Sequence, residues 1–291
     1  MTPQTKMKVA ILGSGNIGTD LLVKIMRSQN LTCSLFVGRN MASAGMRKAN
    51  DLGVRISDQG IKAIQENPDC CDIVVDATSA LAHIHHWPIL SAMGKFVIDM
   101  TPSKVGEMCV PSINLGNGSA SSNFNMITCG GQASIPIVCA IAAVQKDIEY
   151  VEVVSHIASR SAGPATRINL DEYIDTTEAA IKSFSGVKRA KAILTLNPAV
   201  PCVDMQTTIL VQVASPNLET ISSSILTMVA KVQEYVPGYR LLVGPLFEDG
   251  RVVVTVKVNG LGDYLPPYAG NLDIINCAAI ATAEHYAKTR A

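Results

Sequence analysis

The sequence lacks both an excess of one charge and any long apolar run. Its 24 Lys+Arg residues equal its 24 Asp+Glu residues, and no block of like charge stands out. Neither nucleic acid nor a membrane surface is therefore expected as a partner. No apolar run reaches the roughly 18 residues that a transmembrane helix needs. Residues 1–8 lack the apolar core of a signal peptide, so we expect a cytoplasmic protein.

The chain also lacks a C-x-x-C pair, although it has eight cysteines. Thiols scattered over 291 residues are typical of a reducing compartment and not of a disulfide framework. His83, His85 and His86 do not have the spacing of a metal site, and we expect them on a solvated helix face. For His156, inside an apolar run, a structural role is favoured over that of a general base. We expect no metal.

Strands and helices alternate through the first half of the chain. Four apolar runs predict buried strands, at residues 9–12, 31–37, 72–77 and 95–100. Two segments show helical periodicity, residues 16–29 and 42–52. This β-α-β order predicts a doubly wound parallel sheet, as in Rossmann-type dinucleotide-binding domains. The segment at residues 114–125, rich in Gly, Ser and Asn, is interpreted as a loop.

The second half of the chain has a different pattern. Strand-like runs occupy residues 151–158, 191–196, 207–214 and 240–258, and the last one contains a turn at Glu248–Arg251 that predicts a hairpin. Helix-like segments occupy residues 134–145, 171–185, 217–235 and 272–288. The order predicts an α+β domain with a mixed or antiparallel sheet. We divide the chain into a dinucleotide-binding domain at residues 1–130, completed by residues 268–291, and an α+β domain at residues 131–267.

A glycine-rich turn, Gly13-x-Gly15-x-x-Gly18, lies between the first predicted strand and the first predicted helix. In this context Gly13 permits a tight turn, Gly15 lets the backbone approach a pyrophosphate, and Gly18 lets helix and strand pack closely. The N-terminus of the helix offers N–H groups and a partial positive charge to phosphates. The motif therefore predicts dinucleotide binding, and the alternative is an ordinary turn.

The end of the second predicted strand has no acidic residue to bind the ribose of NAD. The sequence there is Gly38-Arg39-Asn40. A basic residue at this position favours tolerance of the NADP phosphate. Arg39 is therefore either a cofactor-binding residue or a solvated surface arginine, and the sequence leaves both open.

Cys129 precedes an apolar segment that predicts a helix. The dipole of that helix favours a thiolate, and Gly130 and Gly131 leave backbone N–H groups uncrowded for a developing oxyanion. Such a thiolate attacks an aldehyde carbonyl and, after hydride loss to a nicotinamide, leaves a thioester. The alternative is a small buried hydrophobe, which we favour for Cys139 inside the apolar segment.

Five segments together resemble the acylating acetaldehyde dehydrogenase family, the partner of 4-hydroxy-2-oxovalerate aldolase in meta-cleavage pathways of aromatic catabolism. They are KVAILGSGNIGTDL (8–21), NMITCGGQASIP (125–136), SRSAGPATRINLDEY (159–173), VPGYRL (236–241) and YLPPYAGNLDI (264–274). They span nearly the whole chain in order. The resemblance implies a fold similar to glyceraldehyde-3-phosphate dehydrogenase, in which the α+β domain serves catalysis and dimerisation.

The resemblance also implies roles for individual residues. The acyl-thioester nucleophile of the TCGGQ motif is Cys129. The NAD-binding SGNI segment is Ser14, Gly15, Asn16 and Ile17. The loop that lines the cofactor site is Ser159, Arg160, Ser161, Ala162, Gly163, Pro164, Ala165, Thr166 and Arg167, and the cofactor-contacting Asn of YAGNLD is Asn271. Of the two arginines, Arg167 is the better candidate to bind phosphates of NAD or coenzyme A, the alternative being surface solvation.

The implied reaction converts acetaldehyde, or another short aldehyde, NAD and coenzyme A to acetyl-coenzyme A and NADH. The implied partners are a second copy of the chain, in a homodimer, and the aldolase. The chain departs from the family's pattern in three places. Asn40 stands at the ribose-binding acid, Thr207 stands where relatives often carry an Asp that assists catalysis, and the stretch between VPGYRL and YLPPYAGN is shorter.

Two other functions remain as rivals. A phosphorylating semialdehyde dehydrogenase has the same thiol chemistry and uses phosphate as acceptor. A dinucleotide-sensing regulator needs no reactive thiol, but the sequence has no DNA-binding motif or basic stripe.

Overall fold

The computed structural model describes residues 6–116 and 120–290, including all of their side chains except those of Pro164 and Ala165. The chain forms two compact units. The first unit consists of the described residues up to Cys109, those between Leu115 and Met126, and those from Ala278 onward. The second unit consists of Val110–Asn114 and Ile127–Cys277. The predicted boundary at residue 130, and the roles assigned to the two domains, stay predictions.

The helices and strands that the two halves of the sequence predict occur in the predicted order, together with other elements that the sequence does not predict. Up to residue 125 they are β1 (Met7–Leu12), α1 (Asn16–Arg27), β2 (Leu31–Val37), α2 (Ala44–Asp51), β3 (Ile56–Ser57), α3 (Lys62–Gln65), β4 (Ile73–Asp76), α4 (Ala80–Ala92), β5 (Phe96–Asp99), β6 (Glu107–Met108), α5 (Pro111–Asn114) and β7 (Asn123–Asn125). After residue 125 they are α6 (Cys129–Val144), β8 (Tyr150–Ala158), α7 (Pro164–Ile168), α8 (Leu170–Ser185), β9 (Ala190–Asn197), β10 (Met205–Gln212), α9 (Leu218–Gln233), β11 (Tyr239–Glu248), β12 (Arg251–Val258) and α10 (Gly270–Arg290).

The sheet of the first unit has seven parallel strands in the order β3-β2-β1-β4-β5-β7-β6. Its central strands β1, β4 and β5 are mainly apolar, as expected for strands that are buried on both faces of a doubly wound sheet. Accordingly Val9, Ala10 and Ile11 of β1 are fully buried. The strand order reverses direction between β1 and β4, and the crevice beyond the carboxyl ends of these strands is where such sheets bind ligands.

The sheet of the second unit has five strands in the order β11-β12-β10-β8-β9. All neighbours are antiparallel except β8 and β9, which are parallel, so the sheet is mixed. Side chains alternate along β8 and β10 between fully buried and half-buried positions. Val153 and Ile209 belong to the buried face, and Val154 and Leu210 belong to the half-buried one. The helices of this unit cover the buried face, since Gly130 of α6 abuts Ser155 there.

The last helix, α10, has residues in both units. Within the first unit, Tyr286 stacks on Phe96 with ring centroids 3.8 Å apart. Cys109 Sγ lies 3.6 Å from Thr282 Oγ1, and the Glu284 carboxylate accepts hydrogen bonds from Ser28 and Asn30. These contacts attach the C-terminal residues of α10 to the sheet and to the turn before β2. Within residues 6–116 and 120–290, no helix combines the length and the apolar character needed to cross a membrane.

Two predicted elements were wrong in their bounds or type. The helix predicted at residues 134–145 begins at Cys129, because Thr128 caps it and the glycines that follow are closely packed. The loop predicted at residues 114–125 contains a strand, β7, whose polar residues Asn123 and Asn125 are buried. Residues 117–119 of that loop prediction lie outside the described part of the chain.

Candidate active site

The three glycines of the turn after β1 have three different surroundings. Gly13 has a φ of +114°, and a Cβ there would lie 2.4 Å from the carbonyl oxygen of Ala77. A Cβ at Gly18 would lie 1.8 Å from the carbonyl oxygen of Gly13. A Cβ at Gly15, by contrast, would have no protein atom within 4 Å. Gly13 and Gly18 are therefore required for packing, whereas space remains at Gly15 for a ligand.

Helix α1 starts at this open position. Its N-cap is Gly15, in extended backbone geometry, and no side chain caps the helix. The first turn has no acidic residue. An uncapped helix N-terminus after a glycine-rich turn attracts phosphate, because its N–H groups and dipole face an anion. These observations fit the pyrophosphate of a dinucleotide.

The other predicted cofactor residues of the first unit lie around this turn. Ser14 Oγ is 3.4 Å from Ser43 Oγ, which caps α2. Asn16 is exposed, and Ile17 is half-buried. Arg39 is exposed immediately after β2, and the Asn40 side chain accepts a hydrogen bond from the backbone of Ala42. The end of β2 thus presents a cation and no carboxylate.

Cys129 is the first residue of α6, in the second unit. The preceding Thr128 is the N-cap, and its Oγ1 accepts a 2.9 Å hydrogen bond from the backbone N–H of Gly131. Such a cap contributes about 1 kcal/mol to the helix. Thr128 Oγ1 also lies 2.7 Å from Thr177 Oγ1 of α8, which fixes the start of α6 against that helix. The capped helix therefore fixes the place of the Cys129 side chain.

Tyr173 of α8 touches Cys129. Its hydroxyl oxygen lies 3.7 Å from Cys129 Sγ and accepts a 3.0 Å hydrogen bond from the backbone N–H of Gly130. Ser155 of β8 also hydrogen-bonds this hydroxyl. Ser155 Oγ is in turn 3.2 Å from Thr207 Oγ1 of β10, its register partner. A chain of buried hydroxyl groups therefore leads from the sheet to the cysteine sulfur.

The absence of a side chain at Gly130 makes this arrangement possible. A Cβ there would lie 2.2 Å from the Tyr173 hydroxyl oxygen and 2.7 Å from Ser155 Oγ. Tyr173 and Ser155 are both buried and cannot move aside cheaply. Gly130 is therefore needed because two hydroxyl groups occupy the space where a side chain would be.

Two expectations about Cys129 were wrong. Burial raises the pKa of its thiol above the usual value, although hydrogen bonds from Tyr173 and from the backbone N–H groups of Gly130 and Cys129 lower it. The helix start alone thus does not ionise this thiol in the resting protein. The N–H groups of Gly130 and Gly131 are not uncrowded either, since they bond Tyr173 and Thr128.

The predicted cofactor loop at residues 159–167 comes directly after β8, and Arg167 stabilises it. Its guanidinium donates hydrogen bonds to the carbonyl oxygens of Ser159 and Ala162, at 2.9 and 3.1 Å, and to Ser159 Oγ, at 2.8 Å. Arg167 therefore uses these donors within its own loop. Three other residues of the loop are exposed or half-buried, Arg160, Gly163 and Thr166. The side chains of Pro164 and Ala165 lie outside the described part of the structure.

Asn271, at the start of α10, meets the same loop. It is 2% exposed, and its Nδ2 donates a 3.4 Å hydrogen bond to the carbonyl oxygen of buried Ser161. Its Oδ1 is buried without a hydrogen-bond partner among the described residues. A buried acceptor without a partner is costly, and an amide N–H of a bound ligand would satisfy it. Asn271 and Ser161 thus fit a cofactor with an amide donor.

One other candidate, His156, has structural surroundings. His156 follows Ser155 in β8, so the two side chains point to opposite faces of the sheet. The imidazole of His156 bonds Thr195 and Asn197 of the neighbouring strand, at 2.8 Å each. The alternating geometry of a strand therefore keeps it away from the face that carries the Cys129 cluster.

The solvated face predicted for the histidines of α4 was wrong for His83. This side chain is fully buried, with Nδ1 3.0 Å from Asp76 Oδ2. His86 is half-buried and bonds the same oxygen, and His85 is exposed. In the part of the chain that the structure describes, no three His, Cys, Asp or Glu side chains are arranged to hold a metal ion. The eight cysteines are free thiols, of which Cys129, Cys139, Cys70 and Cys202 are half-buried.

The sequence did not single out Tyr173 or Ser155. Tyr173 is the last residue of the matching segment 159–173, where the resemblance implies no role for it, and it lies 44 residues from Cys129 in the sequence. The one available signal was Gly130-Gly131 at a helix start, because glycines inside a helix indicate that something approaches closely.

Comparisons with known proteins agree with this geometry. The α/β fold is similar to that of solved aspartate semialdehyde dehydrogenases. Aspartate semialdehyde dehydrogenase II from Vibrio cholerae matches with a TM-score of 0.65 at 14% identity, over 98% of this chain and 99% of that one. A probable aspartate-semialdehyde dehydrogenase from Pseudomonas aeruginosa matches with the same score at 12% identity, over 96% and 98%.

Sequence relatives are much closer. Acetaldehyde dehydrogenase from Pectobacterium atrosepticum is 60% identical over 98% of this chain and 97% of its own length. The acetaldehyde dehydrogenase of Spirochaeta aurantia is 57% identical over 97% and 95%. A family model described as prokaryotic acetaldehyde dehydrogenase, dimerisation, matches residues 129–266. The chain belongs to the acetaldehyde dehydrogenase family, which confirms the resemblance and the expected fold and makes it an enzyme.

Proposed function

We propose that this chain is a coenzyme A-acylating aldehyde dehydrogenase. It oxidises acetaldehyde or another short aldehyde with NAD and transfers the acyl group to coenzyme A through a thioester on Cys129. The names of relatives up to 60% identical over nearly the whole chain support the aldehyde substrate. The observation that carries the proposal is a half-buried cysteine at the first position of a capped helix, in contact with a tyrosine hydroxyl.

The protein's part in the chemistry centres on the Cys129 sulfur. The sulfur, as the thiolate, forms a bond to the carbonyl carbon of the aldehyde while the carbon–oxygen π bond breaks and its electron pair goes to the oxygen, so that the former carbonyl carbon carries an oxyanion, a hydrogen and the sulfur. A nicotinamide held beside the sulfur would supply the hydride acceptor, and loss of that hydrogen as hydride would leave a thioester on Cys129. The thiol of coenzyme A then takes the acyl group and returns Cys129 to its free form. Since burial opposes ionisation of Cys129, the neighbouring hydrogen-bond donors determine how reactive it is.

The residues that would hold the cofactor fall into two sets. In the first unit, the backbone at Gly15 and the uncapped start of α1 would bind the pyrophosphate. In the second unit, Asn271 and the loop that contains Ser161 would bind an amide-bearing part of the cofactor. Arg39, exposed after β2 with no acid beside it, supports tolerance of NADP as well as NAD.

Trapping the acyl intermediate tests the proposal. The enzyme is incubated with acetaldehyde and NAD without coenzyme A, and its peptides are analysed by mass spectrometry. We expect one acetyl group on the peptide that contains Cys129, and its release when coenzyme A is added. Inorganic phosphate, supplied instead, separates this enzyme from phosphorylating dehydrogenases of the same fold. Turnover with phosphate and none with coenzyme A would refute the acceptor that we propose.

Cysteine variants provide the matched control. Cys129→Ser should lose at least about a thousandfold in aldehyde oxidation, as expected for loss of a nucleophile, and still bind NAD. Cys139→Ser changes another half-buried cysteine of α6 and should retain activity. Equal activity of the two variants would refute the thioester route.

We also propose a homodimer and an aldolase partner. The matched family description includes dimerisation, and the half-buried face of the five-stranded sheet carries apolar side chains such as Val154 and Leu210. Acetaldehyde produced by 4-hydroxy-2-oxovalerate aldolase would reach the enzyme directly if the two proteins associate. Co-purification of the two proteins, with and without the aldolase substrate, tests this second association.

A further inference from the structure

The Tyr173 hydroxyl has an unusually complete set of neighbours. The backbone N–H of Gly130 points at its oxygen from 3.0 Å, Ser155 hydrogen-bonds it, and Cys129 Sγ lies 3.7 Å away. The first neighbour is a donor only, since a backbone N–H cannot accept. The tyrosine itself has one hydrogen to donate and two lone pairs that accept.

The direction of each hydrogen bond follows from this inventory. Burial and the adjacent Cys129 raise the pKa of Tyr173 well above its usual value, so that its hydroxyl remains protonated at neutral pH. The hydrogen bonds from Ser155 and Gly130 act in the opposite sense, as bonds donated to the tyrosine oxygen do. With both lone pairs occupied, the tyrosine hydrogen is left to point at the cysteine sulfur.

Two hydroxyl side chains of the neighbouring strands β8 and β10 stabilise this direction of the hydrogen bonds. Ser155 and Thr207 are register partners on the face of the sheet that the helices cover, and their hydroxyl oxygens are 3.2 Å apart. Thr207 is fully buried and Ser155 is 1% exposed, so bulk water does not compete for these bonds. When the Thr207 hydroxyl donates its hydrogen bond to Ser155, the Ser155 hydroxyl donates to Tyr173, and the Tyr173 hydroxyl donates to the Cys129 sulfur.

We propose that Tyr173 is a further catalytic residue, whose hydroxyl donates a hydrogen bond to the Cys129 sulfur and stabilises it as the thiolate nucleophile. Ser155 and Thr207 are positioning residues, because they orient that hydroxyl without touching the sulfur. The proposal rests on the proposed function, in which the Cys129 sulfur is the atom that reacts.

The chemical reason lies in the surroundings of Cys129. Burial disfavours its charged form, and the groups that favour that form are the Tyr173 hydroxyl and the backbone N–H groups of Cys129 and Gly130. Tyr173, which contacts the sulfur from α8, and Ser155, which hydrogen-bonds Tyr173 from β8, contribute hydroxyl groups and no charge. A hydrogen bond to a charged group is worth more than one between neutral groups, so one donor has a measurable effect here.

The test measures the thiol directly, without aldehyde or cofactor. Cys129 is alkylated with iodoacetamide over a series of pH values, and the extent of modification is read by peptide mass spectrometry. Tyr173→Phe keeps the ring and removes the donor. We expect alkylation at neutral pH to slow about tenfold and the profile to move about one unit to higher pH.

Tyr239→Phe is the matched control. Tyr239 is buried, as Tyr173 is, and its hydroxyl donates a 2.7 Å hydrogen bond to the carbonyl oxygen of Ala133 in α6, the helix of Cys129. A purely structural effect of losing a buried tyrosine hydroxyl should appear in both variants. We expect the alkylation profile of Tyr239→Phe to stay within about twofold of the wild type, because no hydroxyl that touches the sulfur is lost.

Coinciding profiles of Tyr173→Phe and wild type would overturn the inference, as would faster alkylation of the variant. If Tyr173→Phe does not fold, Ser155→Ala provides the test instead. The Cys129 thiolate of this variant is followed by its ultraviolet absorbance as the pH is raised, and Cys129→Ser serves as the reference without that thiolate. A shift of this titration to higher pH, smaller than the one expected for Tyr173→Phe, supports the inference, and the absence of a shift overturns it.

The two proposals fail separately. An acetyl group trapped on Cys129, with no effect of Tyr173→Phe on thiol ionisation, would leave the proposed function intact and refute the role of Tyr173. A shifted alkylation profile of Tyr173→Phe without any trapped acyl group would refute the proposed function and leave the hydrogen bond from Tyr173 to the Cys129 sulfur intact.

Discussion

Asp76 and His83 form a fully buried pair, with the imidazole Nδ1 3.0 Å from the carboxylate Oδ2. Asp76 is the last residue of β4, and His83 lies on α4, which follows it. The other imidazole nitrogen, Nε2, is 3.2 Å from Asn123 Nδ2 and 3.5 Å from Asp99 Oδ2. The pair therefore connects the last residues of β4 and β5 and the first residue of β7 to one helix.

The Asp76 carboxylate has three further hydrogen-bond donors. They are His86 Nδ1, at 2.8 Å, and the backbone N–H and hydroxyl group of Thr78. Burial opposes the charge, but the hydrogen bonds from His83, His86 and Thr78 hold the pKa of Asp76 well below its usual range. Ala77 lies between Asp76 and Thr78 and abuts Gly13. The cluster thus fixes the segment against which the glycine-rich turn packs.

Asp76→Asn should destabilise the protein by about 2 kcal/mol, because it replaces charge-assisted hydrogen bonds in a buried site with neutral ones. Urea unfolding at neutral pH measures the loss. Asp51→Asn, at an exposed position at the end of α2, is the control and should stay within about 0.5 kcal/mol of the wild type. Equal effects of the two variants would contradict a stabilising role for the cluster.

The same pair predicts a dependence on pH. The folded-state pKa of Asp76 lies below that of the unfolded chain, which is about 3.9 for an aspartate. Its contribution to stability is therefore complete above that value and is lost as the pH falls toward the folded-state pKa. The difference in unfolding free energy between wild type and Asp76→Asn should shrink as the pH is lowered below about 4. A difference that stays constant would contradict this assignment.

The fold followed from the sequence wherever burial alone decides local structure. The prediction for residues 72–77 contains β4 because Ile73, Val74 and Val75 form the continuous apolar run of a strand buried on both faces. The strand β7, with the sequence Asn-Phe-Asn, could not be found in this way. Its asparagines are buried because Asn123 meets His83 and Asn125 bonds Asp99, and those partners are distant in the sequence.

The candidate site was predictable in part for the same reason. The glycine-rich turn has a local pattern, and the surroundings of Gly13, Gly15 and Gly18 agree with their predicted parts. The ionisation of Cys129 depends on burial and on Tyr173, which α8 brings to it. The position at the start of a helix, taken alone, predicts a lowered pKa for the Cys129 thiol. This prediction is wrong because the cost of desolvation exceeds the effect of the helix end.

Substitutions in the glycine-rich turn should separate folding from cofactor binding. Gly18→Ala places a Cβ 1.8 Å from a backbone oxygen and should destabilise the protein by at least about 2 kcal/mol. Gly15→Ala meets no protein atom, so the melting temperature should be unchanged while NAD binding weakens about tenfold or more. Thermal unfolding and titration calorimetry measure the two effects. Unchanged NAD affinity in Gly15→Ala would mean that the pyrophosphate binds elsewhere.

Arg39→Ala tests the basis of cofactor choice. If the exposed guanidinium contacts the 2′-phosphate, its removal should lower kcat/KM for NADP about tenfold and leave the value for NAD nearly unchanged. Arg55→Ala, another exposed arginine of the first unit, should leave both values as they are. An unaltered ratio of the two kcat/KM values in Arg39→Ala would identify Arg39 as a solvated surface residue.

Leu210→Glu tests the proposed homodimer. Leu210 lies on the central strand β10, on the half-buried face, opposite Glu152 of β8. A second carboxylate beside Glu152 would be buried in an interface without a partner, and we expect the dimer to dissociate. Leu226→Glu, at a position of α9 that is 55% exposed, should remain dimeric. Light scattering over a range of concentrations measures the mass, and a dimeric Leu210→Glu would place the interface on another surface.

Gly130→Ala tests the close packing around Cys129. Two opposing effects on the free energy of unfolding decide whether the substitution stabilises or destabilises the protein. Alanine is favoured over glycine inside a helix by about 1 kcal/mol. Here, however, the Cβ would lie 2.2 Å from the Tyr173 hydroxyl oxygen, and such overpacking costs about 1–3 kcal/mol. Because Tyr173 is buried and cannot yield, we expect net destabilisation together with slower alkylation of Cys129.

Gly244→Ala, in β11, is the control for this substitution, because a Cβ there meets no protein atom within 4 Å. It should be neutral or slightly stabilising, since alanine loses less conformational entropy than glycine on folding. Urea unfolding and the alkylation rate of Cys129 measure the two effects in both variants. If Gly130→Ala were as stable and as reactive as the wild type, Tyr173 could shift without consequence, and its contact with the sulfur would have no bearing on reactivity.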